Sequence, residues 1–136
     1  MRIKIKSGNV EVTAELKNTP TAKAIYKKLP IESTANTWGD EVYFEIPVSL
    51  EAEGDAKEIV EKGDIAYWPH GECFCIFFGK TPASEDDRPK AASKVNVFGK
   101  INGNYNILKK IYGGDKIIIE KAINSGYLSY FPTSIG

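Results

Sequence analysis

Three groups of residues in this chain are of types that do chemistry. Cys73 and Cys75 are its two cysteines, and His70 is its one histidine. Two cysteines one residue apart on a strand point to the same face. They rarely meet disulfide geometry. A zinc site takes about four ligands, so Cys73, Cys75 and His70 would need a carboxylate besides. Two small apolar residues on one strand face is the simpler reading. Nucleophilic catalysis would pair His70 with Cys73 or with a serine such as Ser33, Ser84 or Ser93. No GxSxG elbow is present, and closeness across a turn does not align a base with a nucleophile. Glu41 and Glu45 share a strand face, but they stand ~13 Å apart along the strand, too far for tight acid–base work. There is no P-loop and no GxGxxG. Gly99 and Gly103 read as a bulge and a turn. No catalytic set, metal site or cofactor motif survives. What remains is a concentration of aromatics, Trp38, Tyr43, Tyr67 and Trp68, beside turn signals. Trp and Tyr offer flat apolar area with a polar handle, which makes a binding wall. Trp68 reads equally as wall or as the plug of a barrel end, and Trp38 more as a plug.

The elements that must position these residues are mostly strands. Residues 2–6 and 10–16 alternate apolar and polar about a turn at 7–9, a hairpin pattern. Thr19-Pro20 starts a helix over residues 20–28. Its apolar face is Ala22, Ile25, Tyr26 and Leu29, and Pro30 stops it. A short strand follows at 31–35 and a loop at 36–40. In strand 41–46, Val42, Phe44 and Ile46 face one way and Glu41, Tyr43 and Glu45 the other. Residues 56–62 are expected to form a short helix ended by Gly63. A strand begins at 65–68. In the apolar run 72–78, Phe74, Ile76 and Phe78 should face opposite to Cys73, Cys75 and Phe77. Residues 80–92 read as an exposed loop. A strand at 94–101 is interrupted at Gly99. A short helix at 104–111 and a strand at 115–121 complete the count. About eight strands without βα repeats favour an antiparallel sandwich or a closed barrel with capping helices.

Composition sets the outer bounds. The chain has 136 residues, enough for one domain with its own core. Hydrophobic residues are 42% and charged residues 26%, which disfavours disorder. Eighteen basic and eighteen acidic residues cancel, so charge-driven nucleic-acid binding is disfavoured. No apolar run approaches a membrane span, and the start lacks a signal-peptide stretch. The expectation is a soluble, cytoplasmic protein with a domain at 1–122 and an aromatic tail at 123–136. That tail carries Tyr127, Leu128, Tyr130 and Phe131 with little charge. Self-association through Tyr127 to Phe131 is one use for it.

Residues 36–44 (NTWGDEVYF), 63–69 (GDIAYWP), 77–84 (FFGKTPAS) and 95–101 (VNVFGKI) resemble a prokaryotic family of small cyclophilin-like proteins. The likeness runs in order over most of residues 1–122. It implies a mainly β fold, a closed eight-stranded cyclophilin-like barrel with one or two capping helices. Residues 71–76 (GECFCI) and 97–101 (VFGKI) also resemble the GSQFFI and VFGKV strands of true cyclophilins. The active-site residues of those enzymes do not carry over. Their glutamine falls on Cys73, the phenylalanine of the proline pocket on Cys75, and the histidine near Val95. Their tryptophan has no counterpart around Pro89. Their arginine matches neither Arg2 nor Arg88, the two arginines here. Without an arginine to draw electrons from the prolyl nitrogen, the rotation barrier of ~18–20 kcal/mol keeps most of its height. Cysteine in place of phenylalanine removes much of the apolar wall.

The resemblance therefore implies a domain that binds a peptide segment or small ligand with little or no prolyl isomerase activity. The expected groove is lined by Glu41, Tyr43, Tyr67, Trp68, Cys73, Cys75 and Phe77. The alternatives are an isomerase with a non-standard active site, another enzyme using Glu41, Tyr43 or a cysteine, and a surface that joins other proteins. A perturbed carboxylate in the pocket would favour an enzyme.

Overall fold

Alternation in the first segments becomes strands β1 (Arg2–Ser7) and β2 (Val10–Leu16), which pair from Arg2–Glu15 to Ser7–Val10. Ile3, Ile5, Val12, Ala14 and Leu16 all turn into the core. The computed structural model describes residues 1–122. Helix α1 (Pro20–Lys28) starts as expected, with the Ala22 N–H donating to Thr19 Oγ1 at 3.1 Å. Ala22 and Ile25 are buried, and Tyr26 and Leu29 pack against the core. Then come β3 (Ile31–Thr34), β4 (Asn36–Thr37), β5 (Glu41–Glu45) and β6 (Lys57–Ile59). They are followed by β7 (Asp64–Trp68), β8 (Cys73–Phe77), β9 (Lys90–Asn102), a 3₁₀ turn at Tyr105–Lys110, and β10 (Lys116–Lys121).

All strand pairs are antiparallel, in the order β3-β10-β1-β2-β9-β7-β8-β5-β4, with β6 added to β9. The expectation of a mainly β protein is met. The sheet has ten strands, and it is not closed by hydrogen bonds: no ladder joins its two ends among the described residues. Those ends, β3 and β4, are consecutive in sequence. Ser33 Oγ of β3 instead donates to the carbonyl of Glu45, at the end of β5, at 2.7 Å, a side-chain bond with no ladder beside it.

Three local expectations need correction. Residues 57–59 form a strand instead of a helix, because Lys57 and Ile59 find backbone partners opposite Val95 and Lys90. Tertiary pairing outweighs the weak helical preference of a short segment. Part of the 36–40 loop is strand β4. The expected loop end at 90–92 is already β9, which runs unbroken past Gly99. The interruption there is a bulge: Ile65 pairs Gly99 and Ala66 pairs Val97, so Phe98 is the extra residue. A Cβ on Gly99 would lie 2.7 Å from the Glu15 carbonyl.

Two layers of apolar packing result. The large core holds Phe44, Phe74, Ile76, Phe78 and Phe98 on the inner face. A smaller cluster on the outer face holds Val60, Ala66, Cys73, Cys75, Phe77, Ala91 and Val95. The parity expected for residues 73–78 is thus observed. The crossing from β5 to β6 is tied down by two side chains that face each other in the β7–β9 register, Tyr67 and Asn96. Tyr67 Oη donates to the Val48 carbonyl at 2.6 Å and accepts from the Leu50 N–H at 3.2 Å. Asn96 Nδ2 donates to the Glu51 carbonyl at 3.0 Å and to Thr21 Oγ1 at 3.1 Å. Its Oδ1 accepts from the Glu53 N–H at 2.8 Å. The Thr21 hydroxyl in turn donates to the Glu53 carboxylate.

Asn96 is 2% exposed, so its loss leaves several polar groups without partners. Asn96→Ala should cost about 2–4 kcal/mol. Urea unfolding checks this, and a cost under about 0.5 kcal/mol would show that the loop is held without it.

Candidate functional site

A cavity of about 270 Å³ opens on the outer face of the sheet, lined by Trp38, Glu41, Tyr43, Trp68, Cys75, Ala91, Ala92 and Val95. Four of its walls come from adjacent strands. Tyr43 of β5 pairs Cys75 of β8, which pairs Ala66 of β7. The N-terminal arm of β9 folds over this face and supplies Ala91, Ala92 and Val95. Small side chains on that arm leave the space open.

Trp38 sits at the tip of the β4–β5 hairpin. Its N–H donates to the Glu41 carbonyl at 2.9 Å. Gly39 takes φ 62°, and a Cβ there would meet the Lys80 carbonyl at 2.8 Å. The Asp40 N–H donates to that same carbonyl at 2.8 Å, and the Phe78 N–H donates to the Asp40 carbonyl at 2.9 Å. The hairpin is therefore locked to the end of β8. Trp68 closes β7. Its Nε1 donates to Ser93 Oγ at 2.6 Å, and the ring lies where a Cβ on Gly71 would be, 2.5 Å from it. Glycine at 71 is what lets the indole lie flat.

Glu41 is the chemically unusual member. It is 6% exposed and makes no ion pair among the described residues. Burial pushes its carboxyl up to about 7, while the Cys75 thiol opposes the rise as a hydrogen-bond donor. Burial also raises both thiols, Cys73 to about 11 and Cys75 well above the usual cysteine value. Both remain protonated at neutral pH and are poor nucleophiles. Among the described residues, no group of three or more His, Cys, Asp or Glu is placed to hold a metal ion.

The structure brings Glu41, Tyr43, Trp68 and Cys75 together in one cavity. It does not bring in the other three expected groove residues. Tyr67 follows the opposite parity to Trp68 and is fully buried in the inner core. Cys73 and Phe77 have the outward parity, but they are buried in the smaller cluster beside the cavity. Trp38, read more as a plug, is a wall. Ala91, Ala92 and Val95 were outside the expected groove, because nothing local shows that residues 90–95 fold back over β8. The tail at 123–136, with Tyr127 to Phe131, lies outside the described residues.

The cyclophilin-like family profile matches residues 1–120. The chain belongs to the cyclophilin-like family. A hypothetical protein from Archaeoglobus fulgidus, known from a solution structure, is 44% identical with a TM-score of 0.76. The match covers 90% of this chain and 95% of that one. No curated protein matches this cyclophilin-like chain significantly. Both arginines of the chain lie away from the cavity walls: Arg2 Nε donates to Glu15 at 3.2 Å, and Arg88 is held by Asp86 at 2.7 Å. No helix among the described residues is long and apolar enough to cross a membrane.

The raised carboxyl makes stability depend on pH. Between pH 4.5 and about 7 the folded chain keeps a proton on Glu41 that the unfolded chain has released. Stability therefore falls as pH rises through that window. The penalty is complete above about pH 7 and amounts to roughly 3 kcal/mol at most. Glu41→Gln removes it. Thermal melts should show the variant gaining over the parent as pH goes from about 5 to about 8. Parallel curves would mean that Glu41 is solvated.

Proposed function

We propose that this chain is a ligand-binding member of its family, taking a peptide segment or a small molecule into the outer cavity, with little or no prolyl isomerase activity. The observation that carries the reading is the content of the cavity. Three aromatic rings, a buried carboxyl and a thiol line it, and neither arginine does. Prolyl catalysis by a cationic donor to the amide nitrogen has no group to work with here. A carboxylate would oppose the electron shift that lowers the barrier. The cavity matches the usual form of a small-molecule site, a concave apolar surface with few polar groups. In this reading the sheet acts as a barrel, with its seam at the Ser33–Glu45 contact. The reading places the protein in the cytoplasm, where two free thiols stay reduced.

One observation favours a second reading. A carboxyl with a pKa of about 7 is suited to general acid–base work, so Glu41 would move a proton to or from a bound substrate. The cavity has no further charged group to stabilise a developing charge, which is why binding is placed first.

An Xaa-Pro peptide assay tests the proposal. The exchange should stay at its spontaneous tens to hundreds of seconds. Acceleration on the scale of an ordinary cyclophilin would overturn it. Backbone NMR shifts with a fragment set should then concentrate at Glu41, Tyr43, Trp68 and Cys75.

A further inference from the structure

We infer that the cavity recognises an alkylated ammonium group, with Glu41 as its counter-ion and Trp38, Tyr43 and Trp68 as an aromatic cage. The inference rests on the ligand-binding reading and names the chemistry of the ligand. Two buried carboxylates make the contrast that carries it. Asp64 is 5% exposed and fully engaged: Lys100 Nζ lies 3.3 Å away, and the Glu61 N–H donates to it at 2.8 Å. Glu41 is as deeply buried, points into an open cavity, and has no cation.

Among the described residues, none of those lining the cavity is basic. Lys80 pairs with Asp87 at 3.6 Å, Arg88 with Asp86, and Lys90 with Glu85 at 2.7 Å. Lys94, next to Val95, lies beside Leu50 and Glu51 on a separate shallow surface. Residues 123–136 contain no Lys, Arg or His, so the tail has no cation to offer either. A buried carboxylate without a partner is costly unless a charge arrives to meet it.

The walls select the kind of cation. An ordinary ammonium needs hydrogen-bond acceptors on all sides. Here Glu41 provides one polar side, and Ala91, Ala92 and Val95 provide apolar ones. Methyl groups on nitrogen suit such walls, and the faces of Trp and Tyr attract the spread positive charge. None of the three rings stacks on another among the described residues, and Trp68 pairs only with His70 outside. The volume of about 270 Å³ accommodates a trimethylammonium head with part of its chain. A free choline-type molecule and a methylated lysine side chain share this chemistry.

The pH dependence follows from the groups around Glu41. Cys75 and Cys73 of β8 are protonated, Tyr43 is its neighbour on β5, and Asp40 is turned against Gly79. The β9 arm offers Ala91, Ala92 and Val95, which do not titrate. Glu41 is thus the group that ionises when a cation enters.

Calorimetric titration of the full chain tests this with choline chloride and with dimethylbutanol, its neutral carbon isostere. At about pH 8 choline should bind saturably, with the alcohol roughly tenfold weaker or worse. Glu41→Gln should weaken choline by a similar factor and leave the alcohol unchanged. Choline binding should weaken about tenfold between about pH 8 and pH 5.5, with proton uptake by Glu41 on release of the ligand. Tyr43→Leu, at a half-buried position, should also weaken choline, and an unaffected variant would overturn the cage. A trimethyllysine peptide that binds more tightly than choline, and more tightly than its unmethylated form, would assign the ligand to a protein side chain. The reverse order would assign it to a free small molecule. Equal binding of choline and the alcohol, an unaffected Glu41→Gln variant, or no ammonium binding would overturn the inference. Of these, alcohol binding without choline binding would leave the ligand-binding reading standing.

Discussion

Strand β8 has to be kept dry on both faces. All five of its residues, Cys73 to Phe77, are buried, and most of the architecture around it follows from that. An antiparallel strand normally shows one face to water. Here the inner face meets the large core through Phe74 and Ile76. The outer face needs a second cover, which comes from Val60, just after β6, and the early part of β9. That cover is made of small side chains and does not extend over the whole face. Where it stops, between Val95 and Tyr43, the cavity begins. The site is thus the unfilled remainder of a packing requirement, and Glu41 stands at its border.

The inner core was largely legible in the sequence. Alternation at 2–6, 10–16 and 41–46 gave the inward residues, and helix α1 was marked by Thr19, Pro20 and Pro30 at its ends. Parity within 72–78 sorted Phe74 and Ile76 from Cys73 and Cys75. Such signals are local, and strand period and capping residues carry them directly. The outer layer was not legible. Residues 57–59 have no periodic pattern and are all exposed, so only their partners on β9 make them a strand. Residues 90–95 read as the end of a loop, because the surface they cover lies elsewhere in the sequence.

The same division explains the site. Glu41, Tyr43, Trp68 and Cys75 lie on strands whose outward face is given by alternation. Tyr67 is the neighbour of Trp68, and two consecutive strand residues cannot share a face. Strict parity would have sent Tyr67 inward, where its hydroxyl holds the loop at Val48 and Leu50. Cys73 and Phe77 obey parity but lie under cover. Alternation reports which way a side chain points, and says nothing about what waits there.

The register of β1 carries a consequence for how the chain is made. This strand pairs with β10, Ile3 opposite Lys121, so its residues wait for a strand made far later. β2 likewise waits for β9, with Leu16 opposite Gly99. The hairpin of β1 and β2 is by itself marginal in water. During translation, at about 5–20 residues per second, the nascent chain must hold two strands with apolar faces for several seconds before either outer partner exists. For this topology, the ribosome and whatever shields emerging chains are part of the folding environment.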